Sequence, residues 1–434
     1  MAKAQTGSGK TAAFSLPALQ LLAQHPDKTI LVITPTRELA LQVCEEMQKF
    51  CKYLGITPAA IYGGEPLFKQ LKRLKNDARV LVGTPGRLLD LFKSKKLTNF
   101  SPLLVVLDEA DEMLNMGFLE DIQQIFSYLP EERQTLLFSA TMPPKIRSIS
   151  QQFLKKPVSF DHASDDKKHK DIEQKHYLVK DKQRTLALLQ LLQFHIPSKA
   201  IIFCNTKRLV DELSSELLSL GYLVSALQGD MSQADRQSSI ERFRKATKMI
   251  LVATDVAGRG IDVSDVSHVF NYELPQSHDA YTHRIGRTGR MGSKGTAITL
   301  LTMKQSYSLK RFLKVKDITF SKLPTIAEIK SKQHVAFLES LNQGSIHNDA
   351  QEILSFLQKE MSLEEIAIKL VSQKWSKQSK VLQKQLDASD SDKPSRKKRE
   401  RERPGRNGFP ARRKRARRDS FGKSKGFKKF SKRS

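Results

Sequence analysis

The sequence predicts an α/β protein: two tandem domains built on parallel sheets, followed by a small helical region and a disordered basic tail. Three observations lead there. Short apolar, β-rich runs alternate with longer amphipathic stretches through residues 1–161. The alternation breaks at a polar segment, "HASDDKKHKD" (His162–Asp171), and then restarts. Beyond Phe320 the strand-like runs stop, and the chain ends in low-complexity sequence rich in Arg and Lys.

In the first domain, residues 1–161, the strands are expected at Thr29–Pro35, Arg79–Thr84, Leu103–Leu107 and Gln134–Thr141. Helices are expected between them, such as Arg37–Leu54 and Gly117–Leu129. Continuous apolar runs separated by helices imply parallel strands covered on both faces. Residues 162–171 have little to bury and read as a linker. In the second domain, residues 172–320, the strands are expected at Lys199–Thr206, Tyr222–Gln228, Met249–Thr254, Val266–Glu273 and Thr296–Leu301. Residues 321–386 are expected to be helical. There Leu363, Ile366 and Leu370 fall at helical spacing, and Ser362 with Glu365 resembles a capping box. The stretch Met361–Trp375 reads as a small helical module or a pairing surface. Residues 387–434 read as a tail that is disordered when free.

A chain of 434 residues is too long for one ordinary core. Its 74 basic and 46 acidic residues give a formal charge of +28. From Ser391 to Ser434, twenty basic and four acidic residues supply +16 of that excess. Such a balance favours a polyanionic partner, usually nucleic acid, although a solubilising surface would also produce it. Cys44, Cys51 and Cys204 are scattered without metal-type spacing and read as small buried hydrophobes in a reducing compartment. No apolar run reaches membrane-spanning length, so a cytoplasmic setting without a membrane partner is expected.

Three segments carry chemistry. "AQTGSGKT" (Ala4, Gln5, Thr6, Gly7, Ser8, Gly9, Lys10, Thr11) places small residues before a helix start. Backbone N–H groups there can close on phosphate oxygens, Lys10 can meet the β and γ phosphates, and the Thr11 hydroxyl can ligate Mg²⁺. On the loop alone, a Gly-rich turn that merely caps a helix stays open. "VVLDEAD" (Val105–Asp111) sets acids at the end of an apolar strand. Asp108 can hold Mg²⁺ through water, and Glu109 can orient or deprotonate the attacking water. A solvated acidic strand end is the rival reading. "YTHRIGRTGR" (Tyr281–Arg290) steps Arg284, Arg287 and Arg290 between glycines, a pattern able to meet several phosphate oxygens. Arg287 and Arg290 lie in the second domain. If they act as arginine fingers, hydrolysis requires the two domains to close on each other; otherwise this is a basic surface loop.

With these residues in view, the chain resembles a DEAD-box RNA helicase of superfamily 2. The naming letters are Asp108-Glu109-Ala110-Asp111. Around them run, in order, "AQTGSGKT", "PTRELA" (Pro35–Ala40), Gly63–Gly64, "TPGR" (Thr84–Arg87), "SAT" (Ser139–Thr141), "IIFCNT" (Ile201–Thr206), "QADR" (Gln233–Arg236), "ATDVAGRGID" (Ala253–Asp262) and "HRIGRTGR" (His283–Arg290). The resemblance implies two RecA-like domains that close over ATP, Mg²⁺ and one RNA strand. It places Pro35, Thr36, Arg37, Gly64, Thr84 and Arg87 against RNA, with Thr206, Arg236 and Thr254 as counterparts in the second domain. Arginines, hydroxyls and exposed amides suit sugar–phosphate contacts, which carry no sequence code. The resemblance assigns Asp262 to the ATP ribose. It has Ser139 and Thr141 link Asp111 to His283, tying nucleotide state to closure.

The implied activity is ATP-dependent, local and non-processive RNA unwinding with remodelling of RNA–protein complexes, in ribosome assembly or RNA turnover. The segment "LPTIAEI" (Leu323–Ile329), followed by helices and a basic tail, is similar to bacterial cold-shock helicases of the DeaD type, in which this region can mediate dimerisation. RNA, ribosomal RNA or ribosome precursors, and a second copy of the chain are the partners so implied. Only Met1–Lys3 precede the phosphate loop, so the strand that feeds it and the adenine-reading element of the family are expected to be missing. An RNA-binding clamp impaired in catalysis and a duplex-DNA translocase are the competing readings.

Overall fold

A computed structural model describes residues 1–4, 8–75, 78–97, 100–161, 172–258, 266–289 and 293–373. The expected linker 162–171, the tail 387–434, Trp375, Gln5, Thr6, Gly7, Asp262 and Arg290 lie outside these residues.

The first lobe holds strands β1 (Ala2–Lys3), β2 (Thr29–Ile33), β3 (Thr57–Ile61), β4 (Ala78–Gly83), β5 (Pro102–Leu107), β6 (Gln134–Ser139) and β7 (Phe160–Asp161). The second holds β8 (Ile172–Leu178), β9 (Lys199–Cys204), β10 (Val224–Leu227), β11 (Met249–Thr254), β12 (His268–Asn271), β13 (Gly295–Leu301) and β14 (Phe320–Ser321). Every pairing between them is parallel. The sheet orders are β3-β4-β2-β5-β6-β1-β7 and β10-β11-β9-β12-β13-β8-β14. Counted from the start of each lobe, the two orders are identical, so each position in one sheet has a counterpart in the other.

Central strands are apolar throughout because helices cover both faces. Ile30 to Ile33, Val105 to Leu107 and Ala200 to Cys204 are essentially closed to solvent. Leu31, Ile33, Val105 and Leu107 face one core layer, whereas Ile30, Val32, Leu104 and Val106 face the other. This is the two-residue alternation of a strand sandwiched between helices.

One expectation is corrected. No strand is expected before the phosphate loop, yet the two residues Ala2–Lys3 pair between β6 and β7. Ala2 stands opposite Phe138 and Phe160, and Lys3 opposite Ser139 and Asp161. The Met1 amino group donates to the Val158 carbonyl at 2.8 Å, and the Ala4 N–H donates to the Ser139 carbonyl at 2.9 Å. A strand this short holds because it has a ladder on both sides, so its backbone groups are paired without needing length. Only the Phe138–Ser139 end of β6 is covered in this way, and β1 does not reach Gln134 to Leu137.

Strands β3 and β8 had no sequence signal either. β3 reads "TPAAI", with a proline and two alanines, and it forms a sheet edge where a missing N–H is tolerated. β8 reads "IEQKHYL" and is half polar along its length.

After β14, helix Ile326–Asn342 starts on a capping box made by Thr325 and Glu328, and it packs on helix Arg184–His195 through buried Ile329 and Gln333. Residues 363–373 are helical, with the Ser362 hydroxyl accepting from the Glu365 N–H at 3.2 Å. No described helix is long and apolar enough to cross a membrane.

Candidate nucleotide and nucleic-acid site

The site forms along the carboxyl edge of the two sheets, where parallel strands deliver loop residues and helix starts. In the first lobe the ladder extends one residue past the strands: Thr34, Thr84 and Asp108 donate their N–H groups to Gly83, Ile61 and Ile33 carbonyls. Side chains from β2, β4 and β5 thus end level with one another.

Gly9 opens helix Lys10–Gln24 with φ of 84°, a left-handed conformation that a side chain would strain. Lys10 follows, 8% exposed, with its Nζ 3.7 Å from Asp108 Oδ1 across β6. That separation is an ion pair without a hydrogen bond, and the buried ammonium donates to no described atom. Burial works against the charge on Lys10, but Asp108, Glu109 and Asp111 outweigh it and hold its pKa above the ordinary lysine value. Burial pushes the Asp108 carboxyl up, against the pull of Lys10. A buried cation with unused donors fits a phosphate oxygen. The Thr11 hydroxyl and the Asp108 carboxylate are hard oxygen donors of the type Mg²⁺ takes alongside phosphates. Among the described residues no cluster of three His, Cys, Asp or Glu forms a cage of its own, and Mg²⁺ does not need one.

Glu109 is 9% exposed and adopts φ of 52°, left-handed although it is not glycine. Its N–H donates to Asp108 Oδ1 at 3.0 Å. A conformation costing about 1 kcal/mol or more persists where its surroundings over-determine it, often beside reacting groups. Asp111 Oδ2 accepts from the Thr141 N–H at 2.8 Å and the Thr141 hydroxyl at 2.9 Å. The Ser139 hydroxyl accepts from the Asp111 N–H and donates to the Thr141 carbonyl.

From the second lobe, His283 reaches this cluster at Glu112 rather than at Asp111: Nδ1 lies 2.5 Å from Glu112 Oε1. Glu112 was missed in the sequence, and its only signal was its place directly after the four DEAD letters. Arg287 is buried beside His283 in a small cleft lined also by Phe203, Asp255, Ala280 and Arg284. Arg284 is not available to phosphate, contrary to the reading of three stepped arginines. It is 2% exposed and donates to both Asp255 carboxylate oxygens, to Asn205 Oδ1 at 2.8 Å and to the Glu273 carbonyl at 2.6 Å.

The expected RNA-facing residues occupy matching places in the two lobes. Thr36 caps helix Arg37–Phe50 after β2, and Thr206 caps helix Lys207–Ser219 after β9, each accepting an N–H at 3.3 Å. Thr84 follows β4 and Thr254 ends β11, the corresponding strands. Arg37 lies over the Tyr62 ring at 5.0 Å, with Nε and Nη2 buried and making no hydrogen bond. Gly64, at φ of +83°, backs it so closely that a Cβ there would fall 2.4 Å from Arg37 Nη1. Pro35 lies between Thr34 and Thr36 at the end of β2. Arg87 donates to the Glu65 carbonyl at 3.2 Å. Arg236 crosses the lobe boundary to Glu38, a partner that sequence reasoning had not named.

The second lobe has no equivalent of the lysine. Arg184 starts the helix that follows β8, as Lys10 starts the one that follows β1, but it donates to the Tyr272 and Leu300 carbonyls, Asp181 and Gln305. Protein groups fill that position, so among the described residues the buried lysine of the first lobe has no counterpart there.

Comparison with known proteins agrees with this architecture. Residues 1–149 match the DEAD/DEAH box helicase family, and residues 182–292 match the helicase conserved C-terminal domain. The chain is 48% identical over 330 residues to the DEAD-box ATP-dependent RNA helicase RhpA of Helicobacter pylori, covering 76% of this chain and 67% of that protein. It is 43% identical over 350 residues to CshA of Bacillus cereus, a DEAD-box ATP-dependent RNA helicase, covering 80% of this chain and 66% of that one. The match thus spans about two thirds of those relatives' own length. Among solved structures, S. cerevisiae Dbp5 bound to RNA and ADP BeF3 is similar at a TM-score of 0.67 and 32% identity, covering 78% of this chain and 88% of that one. Mss116 bound to ssRNA and UDP-BeF is similar at 0.68 and 29% identity, covering 76% of this chain and 72% of that one. Two RecA-like lobes, the ordered motifs and the shared identity together place the chain in the DEAD-box family of ATP-dependent RNA helicases.

Proposed function

We propose that the chain couples ATP hydrolysis to local, non-processive separation of short RNA duplexes and to remodelling of RNA–protein complexes, in ribosome assembly or RNA turnover in the cytoplasm. Lys10 and the loop amides grip the phosphates, while Thr11 and Asp108 hold Mg²⁺, which supplies charge neutralisation. Glu109 orients the attacking water. Arg287 and Arg290 bring positive charge from the second lobe to the developing transition state, and Asp262 holds the ribose. Pro35, Thr36, Arg37, Gly64, Thr84 and Arg87, with Thr206, Arg236 and Thr254, grip one strand through sugar and phosphate, without reading bases. ATP and RNA favour the closed arrangement by differential affinity, and phosphate loss reopens it.

The observation that carries this reading is that the one segment Asp108–Glu112 meets Lys10, Thr141 and, from the second lobe, His283, because it joins the phosphate-gripping lobe to the arginine-bearing one. RNA-stimulated ATP hydrolysis tests it. Glu109→Gln is expected to abolish turnover while leaving RNA retention intact. Retention by the unaltered chain without turnover would make it a clamp; stimulation by duplex DNA would make it a translocase. Exposed Val335, Leu338, Leu341, Ile353 and Phe356 on the C-terminal helices support a homodimer, which sedimentation would read directly.

A further inference from the structure

We infer that Glu112 is a positioning residue for the reaction: its carboxylate reaches across the lobe boundary to Nδ1 of His283 and holds that ring in place against helix Ala110–Asn115 when the cleft is closed. The inference rests on the ATPase reading above. Three observations carry it. Glu112 is 2% exposed and sits one residue after Asp111 on helix Ala110–Asn115, so the two carboxylates are held by one short rigid element. The Glu112–His283 separation of 2.5 Å is a charge-assisted contact between lobes. His283 also lines the cleft that contains Arg287, so moving its ring disturbs the wall beside the arginine.

The groups around His283 settle the sign. Glu112, Asp111 and Glu109 face it from the first lobe. Asp255, Arg284 and Arg287 line the same cleft on its own lobe. Burial opposes the charge on the imidazole, but the first-lobe carboxylates, Glu112 foremost, outweigh it and raise the pKa above the ordinary histidine value. In an open cleft that support is absent. Closing therefore takes up a proton above pH 6.5, and the contribution of the pair to closure is lost as pH rises through the raised value.

The test uses the full chain and compares it with Glu112→Gln, isosteric but uncharged, and Glu112→Asp, which keeps the charge on a shorter arm. Imidazole NMR reads the His283 titration, assigned by His283→Asn, and RNA-stimulated ATPase is measured across pH. Glu112→Gln is expected to lower the His283 pKa and to move the alkaline limb of kcat down with it. Between the two values, where His283 is charged in the unaltered chain and neutral in Glu112→Gln, kcat should fall about tenfold, with KM for ATP within about twofold, and above both values the two should converge. Glu112→Asp should restore part of both effects. An unmoved His283 titration in Glu112→Gln overturns the inference. So does a moved titration with an unmoved pH profile, because the pair would then be merely structural. Absence of ATPase in the unaltered chain would instead remove the functional reading, while the NMR arm still decides the contact.

Discussion

Arg236 Nε of the second lobe lies 2.5 Å from Glu38 Oε1 of the first, and both side chains are only 13% exposed. The same guanidinium donates to the Ala257 carbonyl at 2.9 Å, which fixes its plane. A partly desolvated pair held this way does more than a surface ion pair, whose contribution is close to zero. Arg236→Ala and Glu38→Ala should each raise the RNA concentration for half-maximal ATPase by about tenfold, or ~1.4 kcal/mol. The double variant should be little worse than the more damaged single one. A double-mutant cycle checks this, and strict additivity would show that the pair does not act as a unit.

Gly64 touches function through space and backbone together. Its φ of +83° disfavours any side chain, and a Cβ would collide with the Arg37 guanidinium. Gly64→Ala should cost about 1 kcal/mol of stability, read by denaturant midpoint, and displace Arg37. RNA affinity should fall about tenfold while nucleotide affinity in the absence of RNA is unchanged.

Arg284 is a structural arginine. Two contacts to Asp255, one to Asn205 and one to the Glu273 carbonyl leave it closed to solvent, with Phe203 5.3 Å beneath it. Arg284→Ala would strand the Asp255 carboxylate and should destabilise the second lobe by roughly 3 kcal/mol or more, measured by urea unfolding. Arg284→Lys recovers the charge but not the fork, so it should recover only part.

His195 and His268 meet edge to face at 5.1 Å, far from the nucleotide residues in sequence. Burial first pushes each imidazole down to about 4, helped at His195 by His268 and then Lys175, and at His268 by Lys175. For a histidine with a lowered folded pKa, the unfolded chain binds the proton first. Stability is therefore fully present above pH 6.5 and falls as pH drops from 6.5 toward 4. The loss should be about 1–2 kcal/mol per ring once solvent screening is allowed for. Thermal unfolding across that window checks it, and His268→Gln should flatten the slope by about one proton.

Much of the site was legible because phosphate chemistry demands particular residue types at short spacing. Lys10 after Gly9, Asp108 and Glu109 at a strand end, and Arg287 among glycines are local patterns. The partners across the cleft were not legible. Glu112 and Glu38 are ordinary acids until folding sets them against His283 and Arg236. Arg284 and Arg287 look alike in sequence, and only the packing around Asp255 and Asn205 separates the one closed in by protein groups from the one beside the cleft.

By itself the sequence determined the class of the fold, the two-lobe plan and the candidate residues for meeting phosphate, because apolar periodicity and the stereochemistry of glycine, lysine and carboxylate act over a few residues. Tertiary structure decided that Ala2–Lys3 pairs with both β6 and β7, that Arg236 meets Glu38, and which carboxylate receives His283. Those outcomes depend on ladders and contacts between segments far apart in the chain, and such contacts have energies only once both segments are in place.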